Sequence, residues 1–179
     1  MKRPIIIFSL LFFSCSLFAQ TYTPVDNGSK VHFVIRNFGI NTGGDFTGLA
    51  GTIKFDPAKL STADFNVSVD ASTIDTDIEA RDNHLRKEYF DVKTYPRISF
   101  KSTKVTKTNK AGYFYMFGNL TIKAVTKEVK FPFTATSQNG GYLFEGGFKL
   151  NRRDYGVGGS SLSMSDDLTV SLSIFAKAN

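Results

Sequence analysis

The chain contains no tryptophan, two histidines, five prolines and a single cysteine, Cys15, among 179 residues. Each scarcity excludes something. Cys15 lies in the apolar run near the N-terminus, so once that run is removed no thiol remains for a disulfide, a thiolate metal site or a cysteine nucleophile. With only His32 and His84 present and no serine in a nucleophile-elbow context, catalysis has little to stand on. No apolar run is long enough to span a bilayer as a helix: the longest, Ile5 to Phe18, falls short of about 20 residues. Lys2 and Arg3 precede this run and Ala19 follows it, the layout of a secretory signal peptide over residues 1–19, cleaved near Ala19-Gln20. Lipidation at Cys15 is the weaker reading, because Phe12-Phe13-Ser14 puts bulky aromatics where a lipoprotein site has small residues.

What is abundant is phenylalanine, with 18 copies, of which 14 follow residue 19. Without Lys2 and Arg3 the balance is 20 basic against 16 acidic residues, +4, with the lysines scattered rather than clustered. That argues against nucleic acid and for a solvated strand face with, at most, transient attraction to a membrane surface. About 160 residues suit one domain, 20–179.

Most of that domain alternates with period two. Val31, Phe33 and Ile35 predict a first strand, and Gly39 to Gly44 a loop. Leu49, Ile53 and Phe55, then Phe65, Val67 and Val69, continue on one parity. Later strands are predicted at Ile98 and Phe100, at Val129 to Ala135, at Tyr142 to Leu150 and at Leu168 to Ile174. Tyr113 to Ile122 is so apolar that both faces are expected to be covered, or wet only at the strand's ends. Pro132 should open the ladder locally, and Asn139-Gly140-Gly141 should form a hairpin. The total is eight antiparallel strands, compatible with a sandwich or a closed barrel. The exception is a helix over about Asp77 to Lys87, with Asp75 or Thr76 as N-cap, Glu79 completing a capping box, and Ile74, Ile78 and Leu85 as its buried stripe.

Several short segments resemble the YceI-like family. They are Ser72-Thr73-Ile74-Asp75-Thr76 with one additional residue, Thr73; Arg81-Asp82-Asn83-His84-Leu85; Tyr89-Phe90-Asp91; and Tyr95-Pro96-Arg97-Ile98-Ser99-Phe100. Phe46-Thr47-Gly48, Ile53-Lys54-Phe55-Asp56-Pro57, Gly118-Asn119-Leu120-Thr121-Ile122 and Arg152-Arg153-Asp154-Tyr155-Gly156 extend the match along the chain. The resemblance implies an all-β fold, an eight-stranded antiparallel lipocalin-like barrel with a short helical cap. It further implies a non-catalytic, periplasmic or secreted carrier of isoprenoid lipids or isoprenoid quinones, with no other cofactor and no metal. The expected wall of its cavity is Phe33, Ile53, Phe55, Val67 and Val69 from the first half, with Ile98, Phe100, Phe131 and Phe133 from the middle. Phe144, Phe148, Leu150, Leu172 and Ile174 complete it.

Arg152 continues the inward parity of Phe148 and Leu150 and is the candidate head-group ligand; the competing role is an ion pair with Asp82 or Asp154. Other constellations read more simply. Asp82 and His84 are two apart on a helix and face different ways, so no acid/base pair is expected. Asp75, Asp77 and Glu79 lack the glycine and distal glutamate of a calcium loop. Gly156 to Ser161 lacks the Lys-Ser/Thr of a phosphate loop and reads as a mouth loop. The rival functions are a transmembrane barrel, disfavoured by the Ala176-Lys177-Ala178-Asn179 terminus, and a stress-related enzyme or factor acting on a small hydrophobic substrate in the same cavity. The sequence leaves association of two copies open.

Overall fold

The computed structural model describes residues 20–179; the expected signal peptide, residues 1–19, lies outside them. In chain order the strands are β1 (Thr21–Pro24), β2 (Lys30–Asn37), β3 (Ile40–Phe46), β4 (Ala50–Lys54) and β5 (Asp64–Asp70). After the helix α1 (Glu79–His84) come β6 (Arg97–Lys107), β7 (Tyr113–Ile122), β8 (Val125–Gln138), β9 (Gly141–Asn151) and β10 (Met164–Ala178). All pairings are antiparallel.

Ten segments make eight staves. β10 pairs with β9 along one edge and with both β2 and β1 along the other, so β1 and β2 lie end to end as one broken stave. β3 and β4 form the matching broken stave, paired with β2 and β1 respectively. The Asp26 carboxylate joins the two breaks, accepting from Gly48 N at 3.0 Å and Leu49 N at 2.9 Å. The barrel closes at the β1 end, where β1 bonds both β4 and β10. The two broken staves therefore reconcile ten strands with the expected eight-stranded lipocalin-like barrel.

Three expectations change. Gly39 to Gly44 is not a loop: Phe38 and Gly39, with φ of 49° and 77°, form a two-residue turn, and the rest belongs to β3. Gly43 and Gly44 are there for space, not for flexibility. A Cβ on Gly44 would stand 2.6 Å from the Phe33 ring and 2.7 Å from the Thr76 methyl. The β7 strand is not covered on both faces: Phe114, Met116, Leu120 and Ile122 are buried, while Tyr115 and Phe117 point outward. Lys130 lies over both rings, with its Nζ at 4.6 and 5.0 Å from the centroids, so cation–π contact shields this outer face.

The helix begins later and ends later than expected. Its N-cap, Ile78, makes no side-chain cap hydrogen bond, and past His84 it continues as a π-helical turn, Leu85–Tyr89, closed by Phe90 N donating to Leu85 O at 2.9 Å. No capping box forms between Thr76 and Glu79, because Thr76 is held by Asp82 instead. Ile74 is fully buried but Ile78 is half exposed, so the expected stripe loses its middle member. At Pro132 the expected opening occurs: β8 pairs with β9 only from Phe133 onward. Asn139 and Gly140 form the second left-handed two-residue turn.

One end of the barrel is solid. Phe55 is surrounded by Phe65, Phe114, Phe133, Tyr142 and Phe144, each edge-on with centroids 5.3 to 6.2 Å away. Tyr22, Ile53, Val105 and Ala176 pack into the same cluster. Burial, with help from Tyr142 and Asp56, pushes the Tyr22 phenol above its ordinary value.

Candidate functional site

The other end is hollow. Behind the aromatic plug the inward side chains leave a cavity of about 270 Å³, at the lower edge of the roughly 300–1,000 Å³ of ligand sites. Thirteen of the fourteen side chains expected in a cavity wall line it: Phe33, Ile53, Val67, Val69, Ile98, Phe100, Phe131, Phe133, Phe144, Phe148, Leu150, Leu172 and Ile174. Phe55 does not. It continues the parity of Ile53, but the chain there has passed the end of β4, and its ring fills the plug.

The wall is wider than the sequence reading allowed. Val31, Ile35, Leu168 and Val170 share the parity of residues already named and were legible from period two. Phe46 ends β3 opposite Val31, a strand hidden in the sequence by its glycines, while Leu85, Phe90 and Val157 come from the cap and its neighbours, where no strand period points to them. Phe90 meets Phe46 edge-on at 5.7 Å.

The cap is fastened by polar groups. The Asp70 carboxylate accepts from Ser72 N at 2.8 Å and Ser72 Oγ at 2.7 Å; these two hydrogen bonds hold it below the ordinary carboxylate range, with Arg97 adding to the effect against partial burial. Ile74 then drops into the interior, and Asp75 exchanges both backbone hydrogen bonds with Asp45 of β3, at 2.8 and 3.1 Å. Arg86 reaches back to Ser72 O at 2.8 Å and Ile74 O at 3.1 Å. Asp82, buried, accepts from Thr76 N at 3.0 Å and from Thr76 Oγ1, while Arg81 Nε donates to Thr76 Oγ1 at 2.7 Å and Nη2 to Thr76 O. His84 is exposed against Tyr89, so Asp82 and His84 are indeed separated.

Arg152 lies at the cavity wall, but its donors are occupied. The strand ends at Asn151 and a 3-10 turn over Arg152–Tyr155 swings the guanidinium toward the loop that follows. Nε donates to Ser165 O at 3.0 Å, Nη1 to Val157 O and Gly159 O at 2.9 Å each, and Nη2 to Asp166 Oδ1 at 2.7 Å. The ion-pair partner is therefore Asp166, neither Asp82 nor Asp154; Asp154 pairs with Lys127 at 3.3 Å. The clamped loop crosses the cap, and a Cβ on Gly158 would meet the Tyr89 ring at 2.3 Å. Tyr155 is buried with Leu120, Ile122 and Val157, and burial together with Asp154 raises its phenol pKa.

Beside the cap the sheet is open. Among the described residues β3 pairs with one strand, β2; its other edge carries the isolated Asp45–Asp75 bridge, and just past its end Thr47 O accepts from Asp70 N at 3.0 Å. A polar cleft occupies this edge, lined by His32, Asn41, Thr42, Gly43, Gly44, Asp45 and, across the gap, Asp75, Thr76, Asp77 and Arg81. His32, Thr42, Thr76 and Arg81 line the apolar cavity as well, so the two spaces adjoin. His32 Nδ1 lies 2.6 Å from Asp45 Oδ1, and Lys30 Nζ lies 3.5 Å from Asp45 Oδ2. The sequence reading missed this pair. Recognising Phe38-Gly39 as a tight turn would have set the register that places His32 opposite Asp45.

The model of the YceI-like domain matches residues 22–176. A UPF0312 protein of Yersinia enterocolitica is 32% identical over 159 residues, covering 83% of this chain and 82% of the relative. The crystal structure of Burkholderia cenocepacia BcnA is similar with a TM-score of 0.79 and 26% identity, covering 86% of this chain and 99% of that one. A polyisoprenoid binding domain from Saccharophagus degradans has the same fold at 13% identity, with a TM-score of 0.70 over 88% of this chain and 98% of that one.

Proposed function

The chain belongs to the YceI-like domain family, and from that premise we propose that it is an exported, non-catalytic binding protein that holds one long isoprenoid chain, of a lipid or a quinone, inside the barrel. The observation that carries this reading is the cavity: an interior of about 270 Å³ walled by aliphatic and aromatic side chains and continuous from the plug to the cap. The polyisoprenoid-binding function named for the Saccharophagus degradans domain of the same fold adds support. Export accords with Lys2-Arg3, the apolar run to Phe18 and Ala19.

The energetics favour a tail-driven complex. Burying about twenty chain carbons at roughly 0.8 kcal/mol each amounts to about 16 kcal/mol, close to the practical affinity ceiling of about 18 to 21. Ordering a flexible chain offsets part of this. Loading includes contact with a membrane, for which exposed Phe38 and Leu162 offer an apolar rim: Phe38 N donates to Ser163 O at 2.7 Å, which brings the β2–β3 turn beside the loop bearing Leu162.

Catalysis finds little support at this site. His32 and Asp45 form a pair, but among the described residues no serine or threonine hydroxyl bonds to His32. Native mass spectrometry of the gently purified protein tests the reading: a hydrocarbon-bearing adduct is expected. Consistent absence of lipid, together with no binding of a fluorescent lipid, would overturn it.

A further inference from the structure

Two arginines touch the cavity, and they differ in what they have left to give. All three nitrogens of Arg152 donate to protein oxygens. Arg81 donates from Nε and Nη2 to a single residue, Thr76, and among the described residues it makes no ion pair and its Nη1 has no protein acceptor. It lines both the dry cavity and the polar cleft at the open edge of β3. That is where an apolar chain would end and a polar group begin.

Resting on the lipid-binding reading above, we propose that this cleft holds the head group, and that Arg81 donates to a neutral oxygen-bearing one, an alcohol, amide or carbonyl, while the cleft rejects an anionic one. The selectivity follows from the charge around Arg81. Asp45, Asp75 and Asp77 supply three carboxylates, against the cations Arg81 and Lys30, the latter already paired with Asp45. A phosphate entering there would gain Arg81 but meet Asp75 and Asp77, and the lining of the cleft holds no second arginine or lysine to offset them, whereas a neutral oxygen keeps the hydrogen bond without the repulsion. Asp45 also holds His32 at Nδ1, which leaves Nε2 as a second polar contact for the head group. Gly43 and Gly44 keep the approach open, since a side chain at Gly43 would strike the His32 ring at 2.8 Å and one at Gly44 the Thr76 methyl.

The test uses one tail with two heads. Geranylgeraniol and geranylgeranyl monophosphate each displace N-phenyl-1-naphthylamine, a neutral fluorophore, from the purified chain. The alcohol is expected to displace it at about tenfold lower concentration than the phosphate. Arg81→Met should weaken the alcohol by about fivefold, as loss of one hydrogen bond predicts. Asp77→Asn, which suits the left-handed backbone at that position (φ 64°), should strengthen the phosphate by about threefold relative to the alcohol. A melting curve on each variant verifies folding, and the Asp77 variant decides the matter if Arg81→Met does not fold. Equal or tighter binding of the phosphate by the unaltered chain, or a phosphate affinity relative to the alcohol that ignores Asp77→Asn, would overturn the head-group assignment alone. Failure of the fluorophore and both probes to bind at all would overturn the lipid-binding reading itself.

Discussion

Around Phe55 five aromatic rings close to within 6.2 Å of its centroid, whereas beneath α1 side chains of the same character and the same strand parity leave about 270 Å³ empty. Strand alternation is the same at both ends; closure of the sheet is not. At the plug, β1 bonds both β4 and β10 and draws the staves together. At the cap, β3 ends the sheet with one isolated bridge, and the segment from Ala71 to Phe90 spans the gap without filling it. Period two therefore says which side chains turn inward, and edge pairing decides whether they meet.

The sharpest way to break this contrast is to hollow out the solid end. Phe55→Ala should cost about 3 to 5 kcal/mol, the range for deleting a fully packed aromatic, and urea unfolding monitored by far-UV circular dichroism would measure it. A loss under about 1 kcal/mol would mean that the plug relaxes around the void and that the two ends are not distinct after all.

Arg152→Leu tests the hollow end's frame and should cost about 2 kcal/mol. The substitution removes the donor for three backbone carbonyls, while Asp166, more than a third exposed, can turn to water, which lowers the penalty below that of a buried pair. Limited proteolysis should show new cleavage in the loop from Gly156 to Ser163 before the barrel unfolds.

A smaller effect comes from the turn that launches the cap. Asp70→Ala should cost about 1 kcal/mol, as for loss of a capping side chain. Because the folded state holds the Asp70 carboxyl below its ordinary value of 3.8, its contribution is present above that value and fades as the pH falls through the lowered folded value. Stability curves of the variant and its parent should thus run parallel near neutrality and converge in acid. Asp70→Asn, which keeps an acceptor for Ser72, should lose less near neutrality, and because it too lacks the titrating carboxyl the parent's curve should fall toward it in acid by the same amount as toward Asp70→Ala.

How much of this was legible beforehand follows from the same contrast. The eight strands and the inward parity of their apolar side chains could be read from alternation, because a strand's period is local; that thirteen of those side chains line a cavity and do not fill a core came from the family resemblance. The β2–β3 register was not, because Gly43-Gly44 reads as a loop until Phe33 and Thr76 are seen to need the room. Nor was the Arg152–Asp166 pair: extending the strand parity past Asn151 gave the right depth for Arg152, but a 3-10 turn set its partners. Thr76 and Asp75 look like helix caps in sequence, and their real partners, Asp82 and Asp45, depend on the left-handed backbone at Asp77 and on the open edge of β3.

The smallest stability effect is expected where the hollow is filled. Leu168 lines the cavity between Ile35 and Leu150 on the neighbouring strands, so Leu168→Phe would extend a ring into empty volume. In a packed core such an enlargement costs about 1 to 3 kcal/mol; here it should change stability by less than about 1 kcal/mol, in either direction, because dispersion attraction between the ring and the far wall offsets the strain. Binding of a fluorescent lipid should nevertheless weaken markedly, since the ring and the chain compete for one space. Unchanged lipid binding would place the ligand path elsewhere in the barrel, and a large loss of stability would mean that the interior beneath α1 is as tightly filled as the plug.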